Sequence, residues 1–148
     1  MKTCKKVELK ATKVNGNNIP VFGPVTKSAD AHRYAAHFWG DDIEIYESFF
    51  ILLLDRANNP IAWAKISQGG VSGTVVDPKI VCKYCIDTLC SAVIFAHNHP
   101  SGSLKPSDAD IRLTTKMKNA LELLDIQLLD HLIVTSAGYY SFGDEGKI

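Results

Sequence analysis

Two apolar runs constrain this chain more than any other feature. Ser48-Phe49-Phe50-Ile51-Leu52-Leu53-Leu54 and Ala92-Val93-Ile94-Phe95-Ala96 show no alternation of polar and apolar residues. A strand with one wet face alternates, so an unbroken apolar run bounded by turn signals reads as a strand buried on both faces. Strands of that kind need cover on either side, and the intervening segments carry helix signals. Ser28 reads as the N-cap of a helix over Ala29 to Phe38, closed by Gly40. Asp77-Pro78 reads as a helix start, with Asp as cap and Pro at the first position, and the helix runs to about Cys90. Ser107 caps a third helix that puts Ile111, Thr114, Met117, Leu121 and Leu124 on one face. Asn58-Asn59-Pro60 is a turn, and the alternating segment Ile61 to Ser67 is the returning strand of a hairpin. Ile126 to Thr135 is a further strand, and Ala137-Gly138 turns the chain into a last one, Tyr139 to Phe142. Residues 1–27 read as an irregular or hairpin-like lead-in with Asn15-Gly16 as a turn signal. Interspersed helices and doubly apolar strands imply an α/β or α+β sheet covered by helices on both sides, and one domain over residues 1–148 accounts for all of it.

Charge narrows the classes of function. Lys plus Arg and Asp plus Glu both number 16, so the formal net charge is zero. A domain that holds nucleic acid through its phosphates carries a basic excess or stripe. Here the basic clusters are short, Lys5-Lys6 and Lys116 with Lys118, and direct nucleic-acid binding is disfavoured. No apolar run approaches the roughly 20 residues of a membrane helix. The lysine-rich segment Met1 to Lys13 has no apolar stretch after it, so it does not read as a signal peptide, and a cytoplasmic chain is expected. Cys4, Cys82, Cys85 and Cys90 are then expected as reduced thiols. Cys82-x-x-Cys85 falls within a predicted helix and has no second CxxC, so it reads as small core residues rather than half a zinc knuckle or a redox pair.

The chemistry concentrates in His97-Asn98-His99-Pro100-Ser101-Gly102-Ser103-Leu104-Lys105-Pro106-Ser107-Asp108-Ala109-Asp110. Residues i and i+2 of an extended chain point to the same side, so His97 and His99, at the end of a buried strand, can face one point. Asp110, in the first turn of the next helix, can be folded back towards it. Two nitrogens and one oxygen make three protein ligands, the set with which catalytic zinc keeps a fourth position for water. A hydrolytic site of this kind still needs a base, and Glu47, at the edge of the first apolar run, is the best candidate. Glu44 is the nearest competitor and reads as solvated. An oxyanion needs a donor, for which the Ser107 hydroxyl is at the right end of the loop. Ser107-Asp108-Ala109-Asp110 is also a capping-box variant, a reading compatible with that role. His131, beside Asp130, reads either as support for the metal site or as a structural histidine. Phe49, Phe50, Trp63 and Tyr139 read as core.

Taken together, a Glu opening a strand, His-x-His-Pro, a Ser separated from the second His by seven residues and an Asp three further on resemble the JAMM signature of JAB/MPN+ zinc metalloproteases. His-Asn-His-Pro-Ser-Gly, Pro106-Ser107, Asp110, Leu129-Asp130-His131-Leu132-Ile133-Val134 and Tyr140-Ser141-Phe142 resemble the bacterial RadC branch, over about residues 28–146. The resemblance implies one zinc ion on His97, His99 and Asp110, Glu47 as general acid/base, Ser107 as oxyanion donor, and a mixed sheet between helices like that of cytidine deaminases. The deaminase signature itself, His-x-Glu with Pro-Cys-x-x-Cys, does not occur here. Asn98 stands where eukaryotic deubiquitinating members mostly carry Ser or Thr. The helix-hairpin-helix region that usually precedes this domain in RadC proteins does not occur in the chain.

Three functions follow as expectations. The first is a zinc metallopeptidase or isopeptidase acting on a peptide or protein substrate. The second is a DNA-repair or DNA-metabolism accessory module of the RadC kind, which predicts salt-dependent DNA binding. The third is a silent scaffold that keeps metal for stability, against which Glu47 stands, because a structural site needs no base.

Overall fold

The computed structural model describes residues 3–6, 12, 16, 18–70 and 73–148. The Asn15-Gly16 turn expected in the lead-in lies outside the described residues, since Asn15 is not among them. The elements are α1 (Ser28–Ala35), β1 (Ser48–Leu54), β2 (Pro60–Gln68), α2 (Pro78–Thr88), β3 (Ala92–Asn98), α3 (Asp108–Glu122), β4 (Gln127–Thr135) and β5 (Gly138–Ser141). Five strands form one sheet in the order β2-β1-β3-β4-β5. β1 pairs antiparallel with β2 and with β3, β3 parallel with β4, and β4 antiparallel with β5. The sheet is mixed and the fold is α+β, as the sequence implies.

Both apolar runs are central strands, and every residue of β1 and β3 is buried. Pleating sends their side chains alternately to two cores. Phe50, Leu52, Leu54, Ile94 and Ala96 pack with Ala31, Tyr34, Ala35 and Phe38 of the α1 region. Phe49, Ile51, Leu53, Val93 and Phe95 pack with Val81 and Cys85 of α2 and with Met117 and Leu121 of α3. The alternation in β2 serves both layers: Trp63 lies against the first core, and Ala62, Ala64 and Ile66 against the second. Burying two such faces is the main source of stability here, at roughly 1.5–3 kcal/mol for each large apolar side chain.

The helix ends depart from expectation in instructive ways. α1 begins at Ser28, so Ser28 is not its cap. The Asp30 carboxylate instead accepts from the backbone N–H groups of Thr26 (3.0 Å) and Lys27 (3.2 Å). A charged acceptor in the first turn outcompetes a hydroxyl there, and Ser28 Oγ donates to Asp144 at 2.6 Å. Asp77 does cap α2, accepting from the Lys79 N–H at 2.9 Å, and Leu89 ends that helix in the left-handed region. Of the expected apolar face of α3, Thr114, Met117 and Leu121 are buried, whereas Ile111 and Leu124 are exposed. Ile111 precedes the part of the helix that packs on the sheet. Leu124 follows its last residue, where Asp125 (φ 55°) turns the chain. Among the described residues, no helix is long and apolar enough to cross a membrane.

Candidate metal centre

β3 runs two residues further than its apolar letters suggest and takes His97 and Asn98 into the sheet. Its neighbours reach just as far: His97 is level with Phe49 of β1 and Ile133 of β4, and Asn98 with Val134. His99 follows, its N–H donating to the Val134 carbonyl at 3.2 Å. The period-two geometry therefore puts His97 and His99 on one side, with their Nε2 atoms 3.1 Å apart. The chain then turns back through Gly102, whose φ of 82° suits a residue without a Cβ. The loop ends at the Ser107 cap, and the first turn of α3 brings in Asp110. Its Oδ1 lies 3.2 Å from His97 Nε2 and its Oδ2 3.3 Å from His99 Nε2.

His97, His99 and Asp110 form a group able to hold a metal ion. The donor set fits that use. Three corners of a tetrahedron with bonds near 2.05 Å are separated by about 3.3 Å, and the contacts here are 3.1, 3.2 and 3.3 Å. His99 Nδ1 lies 2.8 Å from the Ser103 carbonyl, which can only accept. That assigns the proton of neutral His99 to Nδ1 and leaves the Nε2 lone pair facing the cluster. The Asp110 hydrogen bond raises the His99 pKa against the effect of burial. Burial opposes ionisation of Asp110, but hydrogen bonds and charge from His97 and His99 outweigh it and hold the carboxyl well below its usual range. Asp110 is thus an anion, the form in which a carboxylate binds a metal.

Glu47 sits two residues before Phe49, on the sheet face that carries His97, and its backbone exchanges hydrogen bonds with Gly69 (2.8 Å) and Gly70 (3.2 Å). It is half-buried. Burial raises its carboxyl above the ordinary range, the charges of His97 and His99 oppose that, and Asp110 adds to it. All three members of the cluster therefore act on Glu47. Glu44 is exposed and accepts from the Ser136 hydroxyl at 2.7 Å. Ser107 is the α3 cap: its Oγ accepts from the Asp110 N–H (3.1 Å) while its own N–H donates to Asp110 Oδ2 (2.8 Å). Its hydroxyl proton stays available on the exposed side of the loop.

Three positions that build the candidate site escape the sequence reading. Asn98 faces away from the cluster and satisfies its whole amide. It accepts from Trp39 Nε1 (2.9 Å) and the Ser48 N–H (2.8 Å), and donates to the Ile43 (2.7 Å) and Tyr46 (2.8 Å) carbonyls. It thereby pins the segment that delivers Glu47 to the end of β3. The Ser103 carbonyl, which orients His99, carries no side-chain signal. Thr114, read as core, is hydrogen-bonded to His131, whose ring also meets His97. Asp130 points elsewhere, to Ser141, Gly143 and the His131 N–H. A cavity of about 690 Å³ lies at the far end of β3 and β4 beside Ser91 and Gln127, away from the cluster.

The model of the RadC-like JAB domain matches residues 25–147, which takes in every residue of this cluster. The chain belongs to the RadC-like JAB domain family. Relatives of this RadC-like JAB domain include a UPF0758 protein of Flavobacterium johnsoniae, 48% identical over 122 residues, covering 82% of the chain and 52% of the relative. A UPF0758 protein of Porphyromonas gingivalis is 38% identical over 137 residues, covering 92% of the chain and 60% of the relative. One from Coprothermobacter proteolyticus is 43% identical over 126 residues, covering 84% and 54%. The RadC-like JAB domain described here thus spans little more than half the length of these relatives.

Proposed function

We propose that this domain is a zinc-dependent hydrolase of the JAMM type that cleaves a peptide or isopeptide bond. The observation that carries the reading is the convergence of three ligand atoms at tetrahedral spacing with the Glu47 carboxyl held, half-buried, in their field. When bound, zinc supplies a Lewis acid for the carbonyl and a water of near-neutral pKa. His97, His99 and Asp110 hold the ion. Glu47 takes a proton from the attacking water and delivers it to the leaving amine, a task its raised pKa suits. Ser107 donates a hydrogen bond from its hydroxyl to the oxyanion as charge develops.

The test is hydrolysis of a peptide library by the zinc-loaded protein and by Glu47→Gln. The variant is expected to bind zinc as the wild type does and to lose about 10²–10⁴-fold in rate. Unchanged hydrolysis in a zinc-bound Glu47→Gln protein contradicts the mechanism.

A further inference from the structure

His131 is fully buried yet outside the ligand set. Its ring is stacked on Phe142 (centroids 4.8 Å apart) and meets the rings of Phe49 and Phe95 edge-on at 5.5 and 5.6 Å. Within that aromatic box its two nitrogens have one polar partner each. Nε2 lies 2.8 Å from His97 Nδ1, and Nδ1 lies 2.7 Å from Thr114 Oγ1. Thr114 Oγ1 in turn lies 2.7 Å from the Asp110 carbonyl oxygen.

The protons in this chain can be assigned from its closed end. A carbonyl only accepts, so the 2.7 Å oxygen–oxygen contact takes the single hydroxyl proton of Thr114. The Thr114–His131 contact must then be filled by a proton on His131 Nδ1. A second proton on His131 would put a cation among phenyl rings with no carboxylate bonded to it, which is costly. His131 Nε2 is therefore an acceptor, and the proton in the 2.8 Å contact belongs to His97 Nδ1.

We infer that His131 and Thr114 are positioning residues that fix His97 as its Nδ1–H tautomer and so present its Nε2 lone pair to the metal. The chain runs from one ligand on β3 through β4 to the backbone of another on α3, and so ties His97 to Asp110. His99 gets the same tautomer from a loop carbonyl. His97 lies inside the sheet, where strand carbonyls are engaged in the ladder, and takes it from a side-chain relay. The inference rests on the metal-binding reading above.

The test is the nitrogen NMR of the histidine rings in the metal-free protein, together with zinc affinity by chelator competition, in wild type, Thr114→Val and Thr114→Ser. Wild type is expected to show both His97 and His131 protonated on Nδ1. Thr114→Val removes the acceptor of His131 Nδ1–H, so both rings are expected to switch to Nε2–H and zinc affinity to fall about 10–100-fold. Thr114→Ser keeps the hydroxyl and is expected to restore tautomer and affinity. A purely structural Thr114 would lower the melting temperature without moving either tautomer. Nε2–H on His97 in the wild type overturns the inference without needing any variant to fold, and so does a Thr114→Val protein with wild-type tautomers and affinity. A wild type with the expected tautomers that takes up no zinc overturns the metal reading and upholds the tautomer assignment.

Discussion

Among the described residues, a histidine–aspartate cluster and a cysteine cluster both carry residue types that bind metals, and the first is arranged to do so while the second is not. His97, His99 and Asp110 meet at the end of the sheet; Cys82, Cys85 and Cys90 lie on and just after α2. In sequence the two look comparable, a His-x-His and a Cys-x-x-Cys each with a third partner downstream. The difference lies in which protonation state the surroundings sustain. Asp110 is held ionised and His99 has its lone pair aimed inward. Cys85 is fully buried beside Val81, Met117 and Leu121, and the hydrogen bond with Cys90, with burial, pushes its thiol far above the ordinary value. Thiolates are the metal-binding form; the bond that keeps Cys85 a thiol lowers the pKa of Cys90, so the pair shares one proton between its sulfurs, and among the described residues the three cysteines do not converge as a ligand group. A ligand motif becomes a site when the second atom of each ligand is also given a partner.

That contrast can be broken at either cluster. Replacing His99 by Ala is expected to reduce zinc affinity by more than about 100-fold, beyond what loss of a supporting residue costs. Replacing Cys82, Cys85 and Cys90 by Ala is expected to leave zinc affinity unchanged and to lower stability, by about 1–2 kcal/mol for Cys85 alone. Chelator competition and chemical denaturation read the two effects separately, and a loss of zinc affinity in the cysteine variant would reverse the assignment.

A smaller effect sharpens the role of His99. Its pKa is raised above 6.5, so the folded protein carries the proton at pH values where a free imidazole has lost it. That proton must leave when metal binds. Zinc affinity is therefore expected to fall as pH drops below the raised value, by up to about tenfold per pH unit for the one proton displaced. The sign follows for the metal-free protein as well. The stabilisation from the His99–Asp110 contact is present below the unfolded imidazole pKa and is lost as pH rises through the folded one. Affinity measured across pH 5 to 8 checks the slope, and a flat profile would mean that His99 is not a ligand.

Much of this was legible in the letters, for physical reasons. Short unbroken apolar runs bounded by turn signals read as central strands in a covered sheet, and the i, i+2 rule converts His-x-His into a convergent pair. Glu47 could be placed because it immediately precedes a strand, at the boundary between solvent and core. What stayed hidden depends on contacts across long stretches of chain. Asn98 binds partners 50 to 59 residues away, and His131 reaches His97 across 34. Thr114 has helical spacing that fits a core face, and only its hydroxyl partners reveal the second task. The Ser28 cap failed for a local reason, a carboxylate two residues on that offers a stronger acceptor.

The most direct measurement is zinc K-edge X-ray absorption on the protein loaded with one equivalent of zinc. Four-coordinate zinc with only nitrogen and oxygen neighbours near 2.0–2.1 Å, including the outer-shell signature of two imidazoles, is the expected result. Sulfur scattering at about 2.3 Å, or an ion held by fewer than two imidazoles, would contradict a centre built on His97, His99 and Asp110.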